Sequence, residues 1–183
     1  MKHRARWEPV DGVIPLMTET EGKPGQQAPR SDRWLGIARW LATWFGVGHL
    51  PKAPGTFGSI AALPLAWLLV WLGGPWLLLL ASVLVFGLGL WAAGRYADQI
   101  GRKDPGSIVV DEVVGQWLTL LPAPLDPLAY GLGLIAFRLF DILKPWPIHL
   151  FDRHVTGGLG VMIDDVVAAI YAGGLLYLAV FFI

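Results

Sequence analysis

Two pairs of adjacent carboxylates stand where a polar stretch of the sequence meets an apolar one. Asp111-Glu112 precedes one apolar run, and Asp164-Asp165 precedes another. For either pair alone, the helix dipole is a sufficient explanation, because it favours negative charge at a helix N-terminus. Two such pairs packed at the same end of one protein would repel each other strongly unless a cation lay between them.

The ligand types in these pairs indicate a hard metal ion. The sequence contains no cysteine, which excludes a disulfide scaffold, a thiolate zinc site and a cysteine nucleophile. Clustered carboxylate oxygens suit Mg²⁺ better than Zn²⁺. Adjacent side chains on a helix point about 100° apart, so we do not expect Asp111 and Glu112 to serve one ion as neighbours on a helix face.

A basic and acidic stripe follows on a third apolar segment. Arg138, Asp141 and Lys144 are spaced three residues apart, so they share one side of a helix. The simplest interpretation is a salt bridge within that helix. A carboxylate between two cations also suits a site that holds both a metal ion and a phosphate. Arg153, in the next loop, could clamp phosphate oxygens with its planar guanidinium group.

A glycine-rich stretch containing Gly55, Thr56 and Ser59 opens the first strongly apolar segment. Backbone N–H groups at a helix N-terminus favour a phosphate, and the two hydroxyl groups could add donors. The spacing differs from that of the nucleotide-binding loop. An ordinary turn at a helix start is the simpler explanation of this stretch taken alone.

The composition indicates that most of the chain is not surrounded by water. Of its 183 residues, 55% are hydrophobic and only 15% are charged, against roughly 25% charged residues in ordinary soluble domains. The ten Trp and 23 Gly agree with this, since Trp favours the membrane–water boundary and Gly is common in membrane helices. The formal net charge is zero, which argues against a nucleic-acid partner.

We therefore predict an all-α fold, a polytopic membrane helical bundle. It would contain about five short transmembrane or membrane-embedded helices, over residues 59–72, 76–93, 113–121, 128–143 and 166–183. Residues 34–47 predict an amphipathic helix at the membrane interface. Residues 1–32, rich in Gly, Pro, Gln and charge, predict a disordered cytoplasmic tail before a single membrane-embedded domain over residues 33–183.

Threading these segments up and down places nearly all charge on one side. After residue 58, every charged residue except Asp126 lies in the links 94–112 and 144–165 or in helix ends bordering them. The Lys and Arg residues make that side cytoplasmic by the positive-inside rule. We therefore expect a multi-pass protein whose candidate site faces the cytoplasm. The alternative is a small transporter with an intramembrane Arg138–Asp141 ion relay, although no inverted repeat is evident.

Four strings occur in the same order as in the bacterial phosphatidylglycerophosphatase A family, which the sequence resembles over about residues 44–175. They are PKAPGTFGS, DPGSIVVDEVVGQW, FRLFDILKPWPI and DRHVTGGLGVMIDDVVA. The resemblance implies a magnesium-dependent enzyme of phospholipid biosynthesis in the bacterial cytoplasmic (inner) membrane. It would hydrolyse the terminal phosphomonoester of a phospholipid partner, phosphatidylglycerophosphate, to phosphatidylglycerol and phosphate.

Together these observations give each candidate residue an expected role. The expected magnesium ligands are Asp111, Glu112, Asp141, Asp164 and Asp165. The expected phosphate-binding residues are Gly55, Thr56 and Ser59. The cations Arg138, Lys144 and Arg153 would neutralise charge on the transferred phosphoryl group, and Glu112 would orient or deprotonate a water molecule. We favour direct attack by metal-activated water; a transient aspartyl-phosphate stays open.

Overall fold

The computed structural model describes residues 33–102, 105–146, 148 and 155–182. Within this part the chain is helical and contains no β-strand, which confirms the all-α prediction. The helices are α1 (Arg33–Ala42), α2 (Pro54–Ile100), α3 (Val110–Thr119), α4 (Pro127–Leu143) and α5 (Gly157–Phe181), with a 3₁₀ helix at Val47–His49. The predicted disordered tail, residues 1–32, lies outside the described residues, as does Arg153.

Helix α2 contains a sharp bend at Gly74, between the first two apolar segments. Gly74 has a φ of 68°, in the left-handed region that glycine adopts without steric cost. In one straight helix Gly58 and Gly89 would lie about 46 Å apart, at 1.5 Å per residue. A Cβ added at Gly58 would nevertheless touch Val109, and one at Gly89 would reach the adjacent Val110. The chain therefore reverses direction at the bend.

The helices pack through small side chains and leave many large apolar side chains outside. Ala62, Ala92 and Ala168 are fully buried, whereas Trp71 and Trp76 are 68% and 78% exposed. Membrane helices pack in this way, because small residues let their backbones approach closely and lipid surrounds the large apolar residues. Helices α2 and α5 are long and apolar enough to cross a membrane. For the remaining helices, membrane embedding stays a prediction.

Two helices have different bounds from those the sequence predicts. Helix α5 begins at Gly157 rather than at residue 166, so Asp164 and Asp165 lie about two turns inside it. The helix-dipole explanation therefore weakens for this pair, since the dipole acts within the first turn. Helix α1 ends at Ala42 rather than at residue 47, because Trp44 and the two residues after it take positive φ values and turn the chain.

Two contacts of α3 fix the helices that surround the acidic residues. The indole Nε1 of Trp117 donates a hydrogen bond to the carbonyl oxygen of Ala62 at 2.9 Å, which joins α3 to α2. Gly115 lies against the Phe137 ring of α4, and a Cβ at Gly115 would stand 3.1 Å from the carbonyl oxygen of Asp165 in α5. Because Gly115 has no side chain, the start of α3 packs directly against α4 and α5.

Candidate metal centre

Three carboxylates from two helices meet at one end of the bundle. Asp111 and Glu112 lie in the first turn of α3, and Asp165 lies about two turns into α5. One oxygen of each carboxylate lies within 4.8 Å of the others. Asp111 and Asp165 are buried, and Glu112 is partly buried. These three residues, hereafter the carboxylate cluster, could hold a metal ion.

The carboxylate cluster fits a hard divalent cation. All its ligand atoms are oxygens, which Mg²⁺ prefers. Mg²⁺ binds oxygen at about 2.0–2.1 Å, so ligands on opposite sides stand roughly 4.2 Å apart, a separation that falls within the 4.8 Å over which the three oxygens lie. Two of its buried oxygens, Oε2 of Glu112 and Oδ2 of Asp165, have no hydrogen-bond partner among the described residues. A buried polar atom of this kind calls for a ligand or water.

Glu112 lies outside the two helices that are long enough to cross a membrane. Its pKa reflects the crowding of carboxylates in the cluster. Burial raises the pKa of Glu112 well above its ordinary value, and the carboxylate of Asp111 raises it further. Asp141 adds to this increase, while the guanidinium of Arg138 lowers the pKa. A bound cation would favour the charged form, so metal binding at the cluster would release protons.

Asp111 and Glu112 both contribute oxygens to the carboxylate cluster. Their oxygens lie close enough together to serve one ion, although the two residues are adjacent in the sequence, and the assignment of both as magnesium ligands stays a prediction. Their side chains still leave the helix about 100° apart. The glutamate side chain has one more methylene group, so its carboxylate can turn back toward that of Asp111.

Arg138 connects the carboxylate cluster to α4. Its Nη1 atom lies 2.6 Å from Oδ2 of Asp141, which confirms the expected salt bridge within the helix, and 3.8 Å from Oε1 of Glu112. Gly55, in the first turn of α2, lies against the same two groups. A Cβ on Gly55 would collide with the Glu112 carboxylate and stand 3.1 Å from Nη1 of Arg138. A guanidinium and the N-terminal turns of α2 and α3 therefore border the acidic centre.

Asp164 and Lys144 form a separate ion pair. The Nζ atom of Lys144 donates to Oδ2 of Asp164 at 2.7 Å and joins the end of α4 to α5. Within the described residues, neither Asp164 nor Asp141 belongs to the carboxylate cluster. Each of these two aspartates instead contacts a cation.

The three expected phosphate-binding residues have different surroundings. Gly55 borders the carboxylate cluster, as described above. Ser59 is buried, and its hydroxyl donates a hydrogen bond to the carbonyl oxygen of Gly55 at 3.1 Å, so this hydroxyl is used within α2. Thr56 lines an apolar groove beside Arg138. The structure therefore places Gly55 beside the acidic centre and Thr56 at a neighbouring surface.

Gln116 is a polar residue of α3 for which no role was predicted. It is fully buried, and neither atom of its side-chain amide has a hydrogen-bond partner among the described residues. It follows Glu112 by four residues, so the two side chains share one face of the helix. That spacing was the available signal, because a glutamine one turn after a candidate metal ligand points toward the same region.

Fold and site together define a helical protein with apolar outer faces and a candidate metal centre bordered by a cation. Comparison with known proteins is more specific. The sequence model of the family described as Phosphatidylglycerophosphatase A matches residues 40–180. The chain therefore belongs to the phosphatidylglycerophosphatase A family and is a phosphoric monoester hydrolase.

Three relatives illustrate this similarity. The phosphatidylglycerophosphatase A of Escherichia coli (strain K12) is 44% identical over 139 residues, covering 75% of this chain and 80% of the relative. That of Haemophilus influenzae is 44% identical over 133 residues, covering 72% and 82%. A Bacteroides thetaiotaomicron protein, provisionally named a phosphatidylinositol-3-phosphatase, is 39% identical over 140 residues, covering 72% and 86%. No solved structure matches the chain.

Proposed function

We propose that this protein hydrolyses the terminal phosphomonoester of phosphatidylglycerophosphate to phosphatidylglycerol and phosphate, and that it depends on Mg²⁺. Family membership supports the substrate and the reaction. The observation that carries the chemistry is the buried carboxylate cluster with Arg138 beside it. A metal ion and a phosphate dianion need these opposite charges side by side.

In this proposal Arg138 and the first turn of α2 bind and orient the phosphate. The guanidinium offers several donors to phosphate oxygens, and helix N-termini offer unpaired backbone N–H groups and a partial positive charge. Gly55 leaves space for the Glu112 carboxylate beside this turn, since a side chain at position 55 would collide with that carboxylate. Lys144 contacts Asp164 and, in this proposal, holds the end of α4 against α5.

Hydrolysis requires a nucleophilic water molecule and a group that accepts its proton. Mg²⁺ bound at the cluster would polarise the phosphoryl oxygens and lower the pKa of the attacking water. Glu112 is suited to take the proton, because its Oε2 atom is buried in the cluster and has no hydrogen-bond partner among the described residues. The water oxygen bonds to phosphorus and the ester P–O bond breaks. The leaving glycerol oxygen takes a proton from solvent, to which Glu112 returns the proton that it accepted. Asp111 and Asp165 would hold the metal ion through their carboxylate oxygens.

We also propose that residues 33–183 form one multi-pass domain in the bacterial cytoplasmic membrane, with its site facing the cytoplasm. The one-sided distribution of Lys and Arg supports this orientation, and the exposed large apolar side chains support a lipid environment. The alternative of an ion relay is not favoured. Arg138 and Asp141 contact each other directly, at the same end of the bundle as the carboxylate cluster.

Phosphate release by the detergent-solubilised full chain tests the reaction. We expect release from phosphatidylglycerophosphate with Mg²⁺, release near background with EDTA, and recovery when Mg²⁺ is restored. Phosphatidylinositol 3-phosphate serves as the comparison substrate and should be hydrolysed more slowly. Equal rates with EDTA and Mg²⁺ would contradict the metal requirement, and no release under any condition would contradict the function.

Asp126→Asn provides a matched control for carboxylate substitutions. Asp126 accepts a hydrogen bond from the backbone N–H of Ala129 at 2.9 Å and caps the N-terminus of α4, away from the helix end that carries Arg138 and Asp141. Asparagine caps helices about as well as aspartate. We therefore expect this variant to keep the activity of the unmodified protein.

A further inference from the structure

We propose that a groove along α4 holds an acyl chain of the lipid substrate, an inference that rests on the proposed function. The groove has a volume of about 400 Å³, and its lining includes Ile135, Leu139 and Ile142 of α4. Arg138 and Thr56 also border it. The remaining lining side chains are apolar, so this surface suits hydrocarbon rather than a second polar ligand.

Continuity with the candidate metal centre identifies the occupant. Arg138 both lines the groove and lies 3.8 Å from Glu112, a member of the carboxylate cluster. Thr56 lines the groove directly after Gly55, which lies against the same glutamate. A molecule seated on both surfaces therefore needs an anionic group at Arg138 and an apolar portion beside it. A phospholipid with a terminal phosphate has this chemistry.

The dimensions of the groove suit a chain lying along the helix. Its α4 lining runs from Leu134 to Leu143, a distance of about 14 Å at 1.5 Å per residue. In a bilayer the chain gains little from leaving lipid, because lipid is equally apolar. The advantage is orientation: a chain fixed beside Arg138 holds its headgroup near the carboxylate cluster, and such positioning accelerates a reaction.

The experiment compares long-chain with short-chain substrate. Ile135→Trp and Leu139→Trp fill the groove, and kcat/KM is measured in one detergent for dioleoyl and dihexanoyl phosphatidylglycerophosphate. We expect the ratio of long-chain to short-chain kcat/KM to fall at least about fivefold in both variants. Leu128→Trp is the control. Leu128 lies on the same helix, is 58% exposed and does not line the groove, so its ratio should stay within about twofold of the unmodified protein.

Two outcomes would overturn the groove assignment. One is an unchanged ratio in both filled variants, and the other is an equal fall in Leu128→Trp, which would indicate a general effect on the membrane surface. If the tryptophan variants do not fold, Leu139→Ala removes volume instead and should lower the ratio about twofold or more. Failure of the proposed function looks different, because the unmodified protein would then release phosphate from neither lipid.

Discussion

The two acidic pairs have the same pattern in the sequence and different roles in the structure. Asp111 and Glu112 both join the carboxylate cluster, whereas Asp164 and Asp165 separate. Asp165 joins the cluster, and Asp164 contacts Lys144 at 2.7 Å.

The position of each pair within its helix explains this difference. The first pair lies in the first turn of α3, and its glutamate is long enough to turn toward the neighbouring aspartate. The second pair lies about two turns inside α5, where two short side chains must follow directions about 100° apart. Adjacency in the sequence therefore predicts where carboxylates lie, while the neighbours on each helix face decide what they do.

Replacing one aspartate of the second pair at a time should have the largest effect. We expect Asp165→Asn to lower kcat/KM for phosphate release at least about 1,000-fold, or roughly 4 kcal/mol of barrier. The amide keeps the shape of the carboxylate but removes a charge from the cluster. Asp164→Asn should cost only about tenfold, roughly 1.4 kcal/mol, because its amide oxygen can still accept a hydrogen bond from Lys144.

The measurement is initial phosphate release at saturating Mg²⁺, normalised to folded protein. Asp126→Asn, the helix cap described above, controls for the loss of a carboxylate as such. Equal losses in Asp164→Asn and Asp165→Asn would remove the distinction between the two residues and return both to a common metal site.

A smaller effect should come from crowding the first pair without removing any charge. We expect Gly55→Ala to lower kcat/KM about 10- to 100-fold, or roughly 1.4–2.7 kcal/mol, because its Cβ would displace the Glu112 carboxylate. Gly131→Ala on α4 is the matched control, since a Cβ there meets no atom within 4 Å. It should keep its activity. If Gly55→Ala also keeps full activity, the position of the Glu112 carboxylate does not matter for the reaction.

The sequence predicted the composition of the site better than its internal arrangement. Because the charged residues fall on one side of the threaded segments, the sequence predicted that the charged ends of α3, α4 and α5 lie together. The spacing of Arg138 and Asp141 was enough to predict their contact. The contact between Lys144 and Asp164 was not predictable, because it depends on how α4 packs against α5. The early start of α5 was missed because its first residues include Gly157, Gly158 and Gly160, and glycine is a poor helix former.

The remaining helix bounds follow the same logic. The break at Gly74 was predictable from adjacent glycines followed by a proline. The end of α1 was not, since Trp44 and Phe45 take positive φ values, which non-glycine residues rarely adopt. Tertiary contacts must compensate for that backbone strain, and Trp44 packs against Trp117 with ring centroids 5.7 Å apart. Such a long-range contact has no local signal in the sequence.

The smallest expected effects concern stability, and here the two aspartates of the second pair should differ in sign. Without divalent cations, Asp165→Asn relieves repulsion within the carboxylate cluster, so its unfolding temperature in EDTA should rise by a few degrees, or about 1 kcal/mol. Asp164→Asn should lower the unfolding temperature by a similar amount, because it weakens a charge-assisted hydrogen bond to Lys144.

Lys144→Met completes the comparison through a double-mutant cycle with Asp164→Asn. The Lys144 side chain is 28% exposed and that of Asp164 only 9%. Removing the lysine therefore removes a cation from beside a buried carboxylate, which costs more than removing the carboxylate from beside a lysine that can reach water. We expect Lys144→Met to lower the free energy of unfolding by about 2–3 kcal/mol and Asp164→Asn to lower it by about 1 kcal/mol. The coupling between the two substitutions should be about 1–2 kcal/mol.

Thermal unfolding in one detergent with EDTA measures all four proteins of the cycle, and Asp165→Asn is measured beside them. Additive effects of Lys144→Met and Asp164→Asn would show that the 2.7 Å contact contributes nothing to stability. A fall in unfolding temperature for Asp165→Asn would show that this carboxylate supports the fold even without a metal ion, which would make the two aspartates structurally alike.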